Sequence, residues 1–169
     1  MTKFIRKAAS CVTALAVMLS SMLLVELPAA AETAGDFTVT GGTLDTDYTY
    51  SKNQLTVLTD AALTIKNTDP STATEDRIFV NDGVNANITL AGVNIVCSFN
   101  AAFQIADSSA ASVTVTLAKN TENTLISGGS CAGLQKNGSV GTLTIGGEGT
   151  LRATGGSNGA GIGGGSGNS

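Results

Sequence analysis

An apolar-Thr-apolar triplet occurs four times in this 169-residue chain, as Leu63-Thr64-Ile65, Ile88-Thr89-Leu90, Val115-Thr116-Leu117 and Leu143-Thr144-Ile145, at steps of 25, 27 and 28 residues. Side chains alternate faces along a strand, so each triplet reads as a short strand with two apolar side chains inward and its threonine outward. A near-constant step between such strands demands a chain that coils and returns to the same face. A compact single-layer fold does not produce it.

A second landmark shares the period. Ala102-Phe103-Gln104, Ala132-Gly133-Leu134-Gln135 and Ala160-Gly161-Ile162-Gly163 recur at steps of 30 and 28, and Leu125-Ile126-Ser127 against Leu151-Arg152-Ala153 supplies a third strand per repeat. Turns such as Asn81-Asp82-Gly83, Ala91-Gly92, Asn137-Gly138 and Gly146-Gly147 separate the strands with residues that tolerate positive φ at a sharp corner. Strand-only repeats of this length predict an all-β fold, a right-handed parallel β-helix (solenoid) of about four rungs. A leucine-rich repeat would need L-x-x-L-x-L spacing and an asparagine ladder, and the pattern shows neither. Rungs stacked about 4.8 Å apart would align Leu63, Ile88, Val115 and Leu143 in one inward column and Ile65, Leu90, Leu117 and Ile145 in a second. Ile78 and Val80, Phe103 and Ile105, Leu134, and Ile162 supply a third face.

Residues 1–31 read as a signal peptide. Lys3, Arg6 and Lys7 precede an apolar stretch from Ala8 to Val25, and Ala29-Ala30-Ala31 offers a cleavage site before Glu32. A retained membrane anchor is the competing reading of the same stretch, since about 18 apolar residues suffice to span a bilayer. The small-residue site favours cleavage, and no stable membrane span is expected afterwards. Residues 32–53 are expected to form N-terminal cap strands, 54–162 the rungs, and 163–169 a Gly/Ser-rich tail that begins a further rung. The β-helix is then open or truncated at its C-terminal end, and self-association through the last rung is expected of an uncovered strand edge.

Without Lys3, Arg6, Lys7 and Glu26 the chain holds 6 basic and 12 acidic residues, a net charge of −6. Phosphate recognition needs a basic face, so no nucleic-acid partner is expected. Cys97 and Cys131 admit two readings: a disulfide, contributing about 3 to 4 kcal/mol in an exported chain, or two small apolar side chains inside the coil.

From Phe37 to Ile162 the chain resembles the exported parallel β-helix domains of Gram-positive-type surface proteins, a group described as carbohydrate-binding-domain-containing or adhesin-like, with a pectate-lyase-like coil. The likeness rests on Phe37-Thr38-Val39-Thr40-Gly41-Gly42-Thr43, Asp47-Tyr48-Thr49-Tyr50, Asp76-Arg77-Ile78, Asn87 to Ile95, Ala132-Gly133-Leu134-Gln135 and Gly159 to Gly165. It implies a secreted, cell-surface module for adhesion or for binding a polysaccharide or a host or cell-surface glycan. The alternatives are a purely structural stalk segment of a larger surface protein and, further off, a polysaccharide lyase or hydrolase fragment.

The residues themselves speak against an enzyme. Lyase or glycosidase chemistry needs a metal site with a neighbouring base, or two carboxylates on one face, and the acids here recur on no shared outward column. Calcium is the one candidate cofactor. Asp45 and Asp47 would share one strand face while Glu75, Asp76 and Asp82 flank the next, and carboxylates are hard ligands for Ca²⁺; solvated acids that keep an edge soluble account for the same residues. For a sugar, Asp45, Asp47, Tyr48 and Tyr50 are the candidate ligand-binding group, the tyrosines by stacking on a pyranose, although packing across the rod end explains the rings equally well. Gly159 to Gly164 matches G-x-G-x-x-G without the helix a dinucleotide site requires, and the outward threonines fit strand propensity.

Overall fold

The computed structural model describes residues 30–107 and 110–166. Apart from Ala30 and Ala31, the expected signal peptide lies outside the described residues. The chain opens with two antiparallel pairs: β1 (Ala31–Ala34) with β2 (Phe37–Thr40), and β3 (Tyr48–Ser51) with β4 (Gln54–Val57). The coil then runs through β5 (Ala62–Asn67) and β6 (Arg77–Val80); β7 (Asn87–Leu90), β8 (Asn94–Val96) and β9 (Phe103–Ile105); β10 (Ser112–Leu117), β11 (Glu122–Ile126) and β12 (Leu134–Lys136); and β13 (Thr142–Gly147), β14 (Thr150–Thr154) and β15 (Ile162–Gly163). The described residues hold no helix.

Three sheets form the walls of a β-solenoid of about four turns. Their strand orders are β1-β2-β5-β7-β10-β13, β14-β11-β8 and β15-β12-β9-β6-β4-β3. Every pairing from one turn to the next is parallel, as the periodicity required. The first turn lacks a strand in the three-stranded wall, and Thr74 alone bridges to Ile95 there.

Alternation fills the core. In β5, Leu63 and Ile65 are buried while Ala62 and Lys66 are exposed, and β7 and β10 repeat the pattern with Ile88, Leu90, Val113 and Val115. Leu63 pairs with Ile88 and Ile88 with Val115, as stacked triplets predict. Ile78 and Val80 pair with Phe103 and Ile105, and Leu134 bridges Phe103 to Ile162. Burying each Leu, Ile or Val side chain contributes about 1.5 to 3 kcal/mol, and one rung alone could not bury them.

The last turn departs from the sequence alignment by two residues. Leu143 lies beside Val113 rather than Val115, and Ile145 beside Val115 rather than Leu117. Leu125 likewise pairs with Ala153, not with Leu151. A slide of two leaves every side chain on its own face, because the strand period is two, so sequence matching alone cannot detect it. Gly147 then falls beside Leu117 with φ of 107°, and a Cβ there would lie 2.3 Å from the Leu117 carbonyl oxygen. Only glycine fits the place that the expected alignment gave to Ile145.

Buried polar side chains link the turns at the corners. Asn67, 3% exposed, accepts from the Asn94 amide and donates to the Thr72 and Asn94 carbonyls. Asn123, 1% exposed, accepts from the Gly92 and Val93 amides and donates to Thr121 Oγ1 and the Thr150 carbonyl. Ser127 Oγ accepts from the Ala102 amide and donates to the Ala132 carbonyl. These side chains stand at corners where a turn's free amides would otherwise go unpaired. Cys97 and Cys131 are free thiols, and burial pushes Cys97 up to about 11.

The two ends of the coil differ. The antiparallel strands lie over the first turn, with Phe37, Val39 and Tyr48 fully packed. At the other end Leu143, Ile145 and Leu151 are only partly buried and Ile162 is 49% exposed.

Candidate functional site

The residues singled out for binding or metal ligation separate into three places. Asp45 has φ of 64° and lies with Asp47 in a turn, not on a shared strand face. The Asp47 carboxylate is engaged within that turn and beside it, accepting from the Thr43 amide and from Thr59 Oγ1. Two glycines before the turn and the antiparallel pairing after it bend the chain where alternation suggested a continuous strand. Asp82 sits in an exposed turn, while Glu75 accepts from Ser98 Oγ at 2.5 Å. Among the described residues no three acidic, cysteine or histidine side chains converge as a metal-ligating group.

Tyr48 belongs to the core. It is 1% exposed and its hydroxyl donates to Glu32 Oε2 at 2.8 Å. A ring so enclosed offers no face for stacking. Tyr50 is partly buried, lies against Gly35, where a Cβ would come within 2.1 Å of the ring, and donates to Asp76 Oδ2 at 2.8 Å. Both phenols are held neutral well above their ordinary range. Burial and the Glu32 bond raise Tyr48, and burial followed by the Asp76 bond pushes Tyr50 up to about 12.

These shifts give a pH test. The folded values lie above the ordinary phenol near 10, so the stabilisation is complete below pH 10 and is lost as pH rises through the folded values. Tyr48 and Tyr50 are the only tyrosines, so tyrosinate absorbance reports both without interference. It should stay absent past pH 10 and appear near pH 12 or on unfolding. Half-ionisation at pH 10 in a folded sample would contradict the packing.

Asp76 anchors the third place. It is 3% exposed, and besides Tyr50 it accepts from the Asp36 amide. Thr74 Oγ1 takes a hydrogen bond from the Asp76 amide and donates to Asp36 Oδ2 at 2.6 Å. This chain of bonds ties the β1–β2 turn to the Asn67–Glu75 crossing and leaves a cleft of about 270 Å³ between them. Gly35, Asp36, Asn67, Thr68, Asp69 and Thr72 to Thr74 line it. At its rim Asp69 accepts from Ser71 Oγ, the Ser71 amide and Thr72 Oγ1, which lower its pKa. Hydroxyls, amides and carboxylates preset on a hydrogen-bonded loop can exchange bonds with a hydroxylated ligand at little ordering cost.

Two aromatics escaped sequence reading. Phe79 faces outward from β6, half-buried between Thr56 and Gln104, with the Arg77 guanidinium donating to Gln104 Oε1 at 3.2 Å. Phe99 stands in the corner after β8 and is 81% exposed. Its flanks, Ser98 and Asn100, were the available signal: a large aromatic between corner residues has no inward position to take.

No helix among the described residues is long and apolar enough to cross a membrane. A family model described as carbohydrate-binding domain-containing protein matches residues 71–165. No curated protein and no solved structure matches the chain.

Proposed function

We propose, from the premise that this chain belongs to the carbohydrate-binding domain-containing family, that it binds a polysaccharide or cell-surface glycan as an exported, non-catalytic surface module. The observation that carries this reading is the cleft beside the Asn67–Glu75 crossing, where the exposed Asp36, Thr68, Asp69 and Thr72 stand beside Gly35 and Ala73. Export is supported by the charged and apolar pattern of residues 1–31.

A glycan array probed with the purified chain, with and without calcium, is the test. Binding to at least one polysaccharide is expected, and Asp69→Ala should weaken it about tenfold, the worth of one or two hydrogen bonds, with an unchanged melting curve. Calcium dependence would add a cation to the site. No binding to any neutral or acidic polysaccharide would remove the reading, and release of shortened products from a bound polymer would overturn its non-catalytic part.

A further inference from the structure

Phe99 is out of keeping with the rest of the molecule. The other described aromatics are buried or partly buried, whereas this ring is 81% exposed. An apolar ring left in water forgoes the stabilisation that burial brings and leaves a large flat face open to a ligand. The backbone beneath it is firmly set. Gly128 donates to the Asn100 carbonyl at 3.2 Å, Ser98 Oγ donates to Glu75 Oε1, and a Cβ on Gly129 would lie 2.9 Å from the Phe99 carbonyl oxygen. A pinned corner thus holds out an aromatic face with an exposed carboxylate on the turn below.

We propose that Phe99 is a stacking platform for a neutral pyranose ring, with Glu75 accepting one of its hydroxyls. The inference rests on the carbohydrate-binding reading and adds a subsite outside the cleft. The C–H face of a pyranose is apolar and weakly positive, which suits the negative face of an aromatic ring. Glu75 favours a hydroxyl donor and repels a uronate carboxylate, as does the net charge of −6 on residues 32–169. The corner is distinct from the cleft: Thr74 lines the cleft and pairs with Ile95 of β8, and the next residue, Glu75, is exposed and reaches Ser98 beside Phe99.

Affinity electrophoresis of the full chain in gels containing soluble β-glucan, galactomannan, xylan or polygalacturonate tests the subsite. Retardation by at least one neutral polymer is expected, and not by polygalacturonate. Phe99→Ala should weaken it about tenfold or more, while Phe99→Trp keeps or strengthens it. An exposed side chain leaves the melting curve unmoved, so lost binding cannot be lost folding. Retardation of the wild type with Phe99→Ala unchanged, or retardation by polygalacturonate alone, would overturn this inference and leave the family reading standing. Absence of retardation in every gel would also overturn this inference, and the glycan array then decides the family reading separately.

Discussion

Asn123→Leu is expected to lose about 3 to 5 kcal/mol of folding stability although it conserves size and removes no apolar contact. The side-chain oxygen accepts from the Gly92 amide at 2.9 Å and the Val93 amide at 3.1 Å, and its nitrogen reaches the Thr150 carbonyl at 3.2 Å. Leucine fills the same space and leaves those groups unpaired in a site that is 1% exposed. Each buried unsatisfied group costs about 1 to 3 kcal/mol, and domains are stable by only about 5 to 15 kcal/mol. Denaturant unfolding reads the loss directly. A change below about 1 kcal/mol would show that water takes the place of the amide, and the account of the corners would fail.

The second large effect is expected at Gly128. A Cβ there would lie 1.9 Å from the Ser98 carbonyl oxygen and 2.7 Å from that of Cys97. Both are backbone atoms of the preceding turn, so no side chain can rotate away and the turns themselves must part. Gly128→Ala should therefore cost about 3 kcal/mol, the upper part of the range for overpacking. Gly146→Ala is the control. It sits in β13 with nothing within 4 Å of an added Cβ, and the change should stay within about 0.5 kcal/mol. Equal stability of the two variants would mean that the corner has slack the structure does not show.

The architecture was legible because its signal is periodic. Stacked strands need inward aliphatics at one step per turn, and Leu63, Ile88 and Val115 met that need openly. The slide of β13 against β10 was hidden, since a strand moved by two residues presents the same alternation. Asn67 and Asn123 were also hidden, because a lone asparagine at a strand end reads as a turn residue until the amides it serves are seen. At the site, Tyr50 and Asp76 were both picked out, but for separate roles, and the structure joins them through a hydrogen bond. Tyr48 was open to two readings, stacking on a sugar or packing across the rod end, and alternation in β3 turns it inward to the second. Phe99 was passed over because a corner carries no periodic signal, and its exposure is decided by the course of the backbone.

The uneven steps of the coil have a consequence for how such a chain can vary by descent. Along one wall the paired residues Leu55, Ile78, Phe103, Leu134 and Ile162 are 23, 25, 31 and 28 residues apart, yet each meets its neighbour on the same face. Corners absorb insertions of any size, while a strand accepts only even ones, since a single added residue would turn its apolar side chains to water. Lineages built on this plan should therefore gain and lose residues freely at the corners and in pairs along the walls. New binding specificities can then arise at the corners without disturbing the stack that holds them.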